Sequence, residues 1–336
     1  MTQTSNGLQD GTNGKETRRP RSSIAAFQRF SLAGAWLIVI VVFDILEPDV
    51  FFTMANFSSI FGSQAVLVVL TLGLLIPLRA GAFDLSIAAV LQLSAMTTAV
   101  LNANHGWPIA AAIAIALAAG LLVGVVNGWL VGILDLNSLI VTLGTATFVQ
   151  GIVFFISDSE TVSGVDQLLS EVVVGIRPLG IPLQFYYALV FAGLIWYLFE
   201  YTPIGRKLLF LGSNRTVARL LGLRVKRLVF ASLIAAALIS SLAGVMYVGT
   251  LGGANPTSGR ALLLPAYAAA FLGATAIKPG QFNAFGTLVA VYFLVTGVSG
   301  LQILGVRSYV QDLFYGAALL IAITISTLVR RRTEVT

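Results

Sequence analysis

Long apolar stretches alternate with short polar segments over most of this chain, and each stretch is about long enough to cross a bilayer. A membrane-spanning helix needs about 20 mostly apolar residues. The pattern therefore predicts an all-α, polytopic membrane protein with about ten transmembrane helices. The expected spans lie at about 31–47, 57–78, 83–101, 109–133, 138–156, 185–200, 228–250, 261–277, 284–302 and 310–329.

The remaining polar segments divide the chain into two tails and one membrane domain. Residues 1–29 are rich in Ser, Thr, Asn and Gly, a composition typical of a disordered tail. We expect the transmembrane domain to cover residues 30–330, with a second short tail at 331–336. Its two longest connections are the acidic segment 157–184 and the basic segment 201–227.

Basic residues collect on alternate connections between the predicted spans. All but three of the twenty Lys and Arg residues fall on the side that holds the N-terminus, and the exceptions are Arg177, Arg260 and Arg307. Because basic connections stay on the cytoplasmic face when a polytopic protein inserts, this asymmetry predicts an orientation. Both termini and the segment 201–227 are expected to be cytoplasmic, and the segment 157–184 is expected to be outside.

The composition argues against a soluble enzyme and against a nucleic-acid-binding protein. Hydrophobic residues make up 57% of the chain and charged residues 10%, and the mean hydropathy is +0.92. The net charge of +6 is spread over one membrane face, so we expect lipid rather than nucleic acid as a partner. His105 is the single histidine and no G-x-x-x-x-G-K-[ST] phosphate loop occurs, so we predict no catalytic residue, metal or cofactor on this chain.

The middles of the predicted spans carry neutral polar residues instead of charges. An ion-coupled carrier usually needs ionisable groups at that depth, whereas neutral amides and hydroxyls suit an uncharged polar solute. The candidates for lining a translocation path are Gln92, Asn127, Thr142 and Asn255. The alternative is that such groups only connect helices by hydrogen bonds.

Small residues recur every fourth position in the fourth span, and the seventh span repeats the pattern. This spacing places them on one helix face, where two backbones can approach closely. The residues expected to serve helix packing are Gly120, Gly124, Gly128 and Gly244. A pore-lining role is the alternative.

The basic connection 201–227 contains the signals of a short amphipathic helix. Asn214 is a good N-cap, and Gly222 is a good terminator. Val217, Leu220 and Leu221 follow the i, i+3, i+4 spacing, which gives one apolar face on a basic helix. Such a face suits the groove of a partner protein. The alternative is a helix that lies on anionic lipid.

Several sequence blocks, in this order and spacing, resemble a known family over about residues 55–330. The blocks are Ala-Gly-Ala-Phe-Asp-Leu-Ser at 80–86, Val-Asn-Gly at 126–128, Leu-Ile-Val-Thr-Leu-Gly-Thr at 139–145, Thr-Pro-Ile-Gly-Arg at 202–206, Gly-Ser-Asn-Arg-Thr-Val-Ala-Arg-Leu-Leu-Gly-Leu at 212–223, Phe-Leu-Gly-Ala-Thr at 271–275 and Phe-Gly-Thr-Leu at 285–288. They resemble the ribose-, xylose-, arabinose- and galactose-type permeases of bacterial ATP-binding-cassette importers. The chain departs from the family pattern at Ala82, Phe83 and 278–282, near the expected cytoplasmic mouth.

The resemblance implies a permease subunit in the bacterial inner membrane that imports a monosaccharide or polyol. It implies a homodimer of permease chains, a cytoplasmic ATPase that carries the ATP and Mg, and an extracytoplasmic solute-binding protein. It also implies a cytoplasmic-mouth turn that contains Gly81, Asp84 and Ser86. The residues that match the family's coupling segment to the ATPase are Asn214, Arg215, Val217, Ala218, Arg219, Leu220, Leu221 and Gly222.

Two alternatives remain open at this point. Permeases for branched-chain amino acids and for nucleosides are near relatives of this family and share several of the blocks. A stand-alone secondary transporter is the alternative from a different class of protein.

Overall fold

A computed structural model describes residues 21–307 and 309–334. Almost all of the regular secondary structure in this part of the chain is helical. The helices are α1 (Arg21–Leu46), α2 (Met54–Ser63), α3 (Ala65–Arg79), α4 (Ile87–Ala99), α5 (Ile109–Gly128), α6 (Ser138–Ile156), α7 (Gln167–Ser170), α8 (Leu183–Tyr201), α9 (Pro203–Ser213), α10 (Arg215–Leu220), α11 (Val225–Leu251), α12 (Leu263–Gly273), α13 (Ala284–Ile303) and α14 (Tyr309–Glu334). Turns of π-helix extend α4, α5 and α7 to Asn104, Ile133 and Gly175, respectively. Two short strands, β1 (Val162–Ser163) and β2 (Gly253–Ala254), pair in antiparallel fashion.

Among the described residues, eight helical segments are long and apolar enough to cross a membrane. They are Arg29–Leu46, Met54–Arg79, Ile87–Asn104, Ile109–Ile133, Ser138–Ile156, Leu183–Tyr201, Val225–Leu251 and Ala284–Ile303. The all-α, polytopic architecture predicted from the apolar pattern is therefore confirmed. The tenth predicted span corresponds to the shorter apolar segment Tyr309–Ile325 of α14.

The eighth predicted span, at 261–277, is wrong. The chain leaves α11 at Gly252, whose φ of +68° ends the helix, and it reaches α12 only after the 3-10 turn Ser258–Leu262. The helix α12 has 11 residues, which is about half of what a span needs. The irregular segment is stable at this position because buried side chains of other helices bind its backbone groups.

A second interruption separates α3 from α4. The third span was expected to begin at residue 83, but α4 begins at Ile87, because residues 80–86 form a turn in which Gly81 has a φ of +74°. The predicted span 57–78 also has a break, since α2 ends at Ser63 and α3 begins at Ala65.

The tails and the acidic connection differ from the expectation. Residues 1–20 and 335–336 lie outside the described residues, and so does most of the predicted tail 1–29. Residues 21–29 are helical and begin α1. At the other end of the chain, α14 extends to Glu334. The connection 157–184 folds into β1, α7 and a 3-10 turn at Pro178–Gly180. Its side chains Val162 and Leu169 are buried, so this segment covers the end of the bundle.

The helix α11 lies at the centre of the bundle and packs against α3, α4 and α5. The small-residue face of α5 makes this contact close: a Cβ added to Gly124 would lie 2.6 Å from the Cβ of Ala237. Added Cβ atoms on Gly120 and Gly244 would clash with Ser241 and with the carbonyl of Leu91, and one on Gly128 would meet the carbonyl of Phe230. A side chain at any of these four positions would therefore collide with a neighbouring helix.

The connections that carry most of the basic residues meet at one end of the bundle, which we call the basic end (Arg29, Arg79, Asp135, α9, α10 and residues 274–283). Arg79 donates to the carbonyl of Phe282 at 3.1 Å, and Lys278 forms an ion pair with Glu200. Arg29 Nε donates to the carbonyl of Ile277 at 3.1 Å. These contacts bring connections that carry basic residues together at one end of the bundle, while their side of the membrane stays a prediction.

Candidate functional site

Hydroxyl groups of α6 hold the turn at residues 80–86. The Oγ of Ser138 accepts a hydrogen bond from the backbone N–H of Phe83 at 3.1 Å, and the Oγ1 of Thr142 accepts one from Leu85 at 3.0 Å. A buried N–H without an acceptor would cost about 1–3 kcal/mol. The hydroxyl pair of α6 therefore stabilises the interruption between α3 and α4.

A buried hydrogen-bond network follows directly on this turn. The Oδ1 of Asp84 accepts from both the N–H and the Oγ of Ser86, at 2.9 and 2.6 Å. Asn127 donates to the Ser86 Oγ at 2.8 Å and accepts from the Thr145 Oγ1 at 2.7 Å. The Tyr267 hydroxyl accepts from the N–H of Asp84 at 3.1 Å, so the network joins α4, α5, α6 and α12.

Two glutamines hold the segment between β2 and α12. The Nε2 of Gln92 donates to the carbonyl of Asn255 at 2.7 Å, and its Oε1 accepts from the N–H of Gly259 at 2.6 Å. The Nε2 of Gln150 donates to the carbonyl of Pro256 at 2.8 Å. Irregular backbone at membrane depth needs such partners because lipid offers none.

A groove of about 520 Å³ lies between α4, α6 and the beginning of α12. Four residues of α6 at helical spacing, Leu143, Thr147, Gln150 and Phe154, line one wall. The opposite wall includes Leu85, Ala88, Arg260, Leu263 and Leu264. We call this cavity the α6 groove.

The four residues predicted to line a translocation path lie outside the α6 groove in this structure. Gln92, Asn127 and Thr142 are almost completely buried and form hydrogen bonds between helices, and none of them lines the α6 groove. Asn255 is partly exposed and donates to the Thr161 Oγ1 at 2.9 Å. Their role as lining residues stays a prediction.

The groove residues Thr147, Gln150 and Arg260 were missed as lining candidates. A signal exists in the sequence, since 143, 147, 150 and 154 share one face of a helix and two of these residues are polar. Arg260 carries no comparable signal because it is far from α6 along the chain. Of the predicted mouth turn, Asp84 and Ser86 are buried, and Gly81 lies against Gly212 of α9.

The helix α10 forms as its end signals predict. The Oδ1 of Asn214 accepts from the N–H groups of Thr216 and Val217 at 2.9 and 3.1 Å. Beyond the last turn, Gly222 takes a φ of +74°. The capped helix is therefore defined by local sequence.

One face of α10 is apolar and exposed. Leu220 is 82% exposed, Leu221 is 62% exposed and Val217 is 47% exposed, whereas Ala218 packs inward and is fully buried. We call the three exposed residues the apolar face of α10. Exposed apolar groups of this kind, clustered on a short helix, are typical of a contact with a protein or with a membrane surface.

Ion pairs connect α10 to the connection between α5 and α6. Arg215 and Arg219 each lie 3.4 Å from a carboxylate oxygen of Asp135. Lys226, in the first turn of α11, donates to the carbonyl of Ile133 at 2.8 Å. A displacement of α10 would therefore act on α5 and α6, at the basic end of the bundle, as well as on α11.

Curated relatives match the chain over most of its length. The D-allose transport system permease protein of Escherichia coli K12 is 29% identical over 329 residues, which cover 94% of this chain and 99% of that protein. The ribose import permease protein of the same strain is 30% identical over 87% of this chain and 91% of its own length. The autoinducer 2 import system permease protein of Photorhabdus laumondii is 28% identical over 88% of this chain and 89% of that protein.

No solved structure matches the chain. A family model does match it, over residues 56–323, which include the described spans from Ile87 to Ile303 and all but the first two residues of Met54–Arg79. The matched region contains the turn 80–86, the α6 groove and α10. The chain therefore belongs to the family described as the permease component of the branched-chain amino acid transport system.

Proposed function

We propose that the chain is the membrane-spanning permease subunit of an ATP-binding-cassette importer that moves a monosaccharide or related polyol into the cytoplasm. The observation that carries this proposal is the match, over nearly the whole chain, to permeases named for D-allose and ribose. The family and its matched relatives are transporters. The apolar helices of this chain make it a multi-pass inner-membrane protein.

Energy would come from a separate cytoplasmic ATPase that holds the ATP and Mg, with one ATPase subunit docked on each permease chain. The support is the apolar face of α10, which lies at the basic end where the positive-inside rule places the cytoplasm. Val217, Leu220 and Leu221 would fill a groove of the ATPase, and Asn214, Arg215, Ala218, Arg219 and Gly222 would hold the helix in place for that contact.

Two further partners complete the proposal. A second copy of this chain would form a homodimer that encloses the path, and an extracytoplasmic binding protein would deliver the solute. The turn at 80–86 would lie at the cytoplasmic mouth of the path. In this proposal Gln92, Asn127, Thr142 and Asn255 meet the solute in a conformation that rearranges their present hydrogen bonds.

The family description favours a second candidate, a branched-chain amino acid. Calorimetry on the solute-binding protein that serves the proposed importer separates the two. We expect saturable binding of one or more monosaccharides or polyols and no heat from leucine, isoleucine or valine. Binding of those amino acids without binding of any sugar would transfer the substrate assignment to the second candidate.

The carboxylate of Asp135 tests the connection between α10 and the spans. Replacing Asp135 with Asn removes both ion pairs, which are exposed and should contribute less than about 1 kcal/mol each to the free energy of unfolding. We therefore expect an almost unchanged melting temperature but sugar uptake lowered about two- to tenfold, because α10 moves less tightly with α5 and α6. Asp312→Asn, at an exposed carboxylate in the first turn of α14, is the control. Equal uptake by both variants would contradict the proposed connection.

A further inference from the structure

Gln150 carries a buried amide oxygen that has no partner. Its side chain is 7% exposed and lines the α6 groove, and its Oε1 has no hydrogen-bond partner in the described structure. The orientation of the amide is fixed, because only its NH₂ group can donate to the Pro256 carbonyl. An acceptor left unpaired in this way costs about 1–3 kcal/mol, so the groove contains a position that favours a hydrogen-bond donor.

The groove lies where two interrupted backbone segments meet. Leu85 belongs to the turn 80–86, and Arg260 belongs to the 3-10 turn that precedes α12. Non-helical backbone at membrane depth is tolerated where it is buried in protein or lines a cavity. From Leu143 to Phe154 the groove follows α6 for about 16 Å, at the helical rise of 1.5 Å per residue.

Arg260 contributes an exposed guanidinium to the same groove. It forms no ion pair with the residues that the structure describes. A charge that faces hydrocarbon is costly, so this wall of the groove belongs to a water-filled or protein-covered space. The guanidinium offers five N–H donors, which suit hydroxyl oxygens as well as anions.

We propose that the α6 groove is a solute-binding site within the permease for a neutral, hydroxyl-rich ring, that is, a monosaccharide. A ring hydroxyl donates to the Gln150 Oε1, other hydroxyl oxygens accept from Arg260, and the C–H face of the ring packs on Leu143 and Phe154. The inference rests on the proposed function and deepens it by assigning residues. The volume of about 520 Å³ lies in the range of small-molecule sites.

The same geometry disfavours an amino acid. Its carboxylate could bind Arg260, but its ammonium carries three donors and a full charge. Among the described lining residues the side-chain acceptors are the Gln150 amide and the Thr147 hydroxyl, and none is a carboxylate. A buried ammonium beside Arg260 would therefore remain poorly paired.

The chain has no cysteine, so a single introduced thiol reports on the groove alone. Gly151 lines the groove and has open space around an added Cβ, so Gly151→Cys places a thiol there without a clash. In lipid nanodiscs we expect D-ribose or D-allose to slow maleimide labelling of this thiol about tenfold when the sugar is at about ten times its Kd. Leucine at the same concentration should have no effect. Gly193→Cys, in α8 with equally open surroundings, is the matched control and should label at a constant rate.

Two separate second-site changes test the assignment, so that one remains informative if the other disturbs folding. Gln150→Leu removes the amide acceptor, and Arg260→Gln removes an exposed charge that packing does not need. In the Gly151→Cys background, each change should raise the sugar concentration needed for half-maximal protection of the thiol about tenfold or more. This is the usual effect of losing a hydrogen bond to a charged or buried group. Unchanged protection in both variants would overturn the assignment of these residues.

Uptake by the unmodified complex separates this inference from the proposed function. If the complex transports D-ribose or D-allose but neither sugar protects Gly151→Cys up to about 100 mM, the groove site is refuted and the function stands. If leucine protects and sugars do not, the solute class of the site is wrong. If the complex transports leucine and no sugar, the proposed function itself fails.

Discussion

Replacing Leu220 with Asp is expected to abolish coupled uptake while the permease still folds. The side chain is 82% exposed in the isolated chain, so the new carboxylate remains solvated there and stability should hardly change. In the complex, however, the carboxylate would enter an apolar groove of the ATPase. Loss of a central apolar anchor costs about 2–4 kcal/mol, and burial of an unpaired charge adds to it. We expect ATPase association to weaken by about 30-fold or more and uptake to fall accordingly.

The measurement is copurification of the ATPase together with sugar uptake and solute-stimulated ATP hydrolysis. Leu179→Asp is the matched control, because Leu179 is 85% exposed but lies in the 3-10 turn between α7 and α8 at the opposite end. That variant should retain the ATPase. Normal ATPase association and uptake by Leu220→Asp would place the apolar face of α10 on lipid instead of on a protein partner.

Replacing Asn127 with Asp is expected to prevent stable folding, although the two side chains have the same shape. Asn127 is 1% exposed and donates to the Ser86 hydroxyl, which in turn donates to the carboxylate of Asp84. The substitution exchanges that donor for a second buried carboxylate in the same network. Disrupting a buried charged network in this way costs about 3–5 kcal/mol, which is a large part of the stability of most domains.

Thermal unfolding of the purified permease in detergent checks this result. Gln167→Glu, the corresponding amide-to-acid change at an exposed position in the first turn of α7, should melt like the unmodified chain. An unchanged melting temperature for Asn127→Asp with strongly reduced uptake would have a different meaning. Asn127 would then be solvated in the folded state, and the buried network around it would not contribute to stability as the structure indicates.

The features that follow from local sequence could be predicted, and those that depend on distant residues could not. Asn214 and Gly222 define α10 by themselves, and the four-residue spacing of glycines defines the packing face of α5. The short α12 was mistaken for a span because residues 261–277 are apolar enough. The irregular segment that precedes α12 depends on Gln92, which is 167 residues away along the chain from its partner Gly259.

The same distinction applies to the candidate site. Asp84, Ser86 and Asn127 stand out in the sequence as polar groups within apolar stretches, but their mutual contacts depend on how α4, α5 and α6 pack. Asp135 looks like an ordinary loop carboxylate until the fold brings it to Arg215 and Arg219. Arg260 becomes a groove residue only because the chain between β2 and α12 enters the bundle.

Reconstitution in liposomes tests the central claim that this chain has no energy source of its own. The purified permease is assembled with or without its ATPase and binding protein, and accumulation of labelled sugar is followed with ATP on the cytoplasmic side. We predict uphill accumulation only with both partners and ATP, and none when the permease alone is given a proton or sodium gradient. Sustained uphill accumulation by the permease alone would contradict the account.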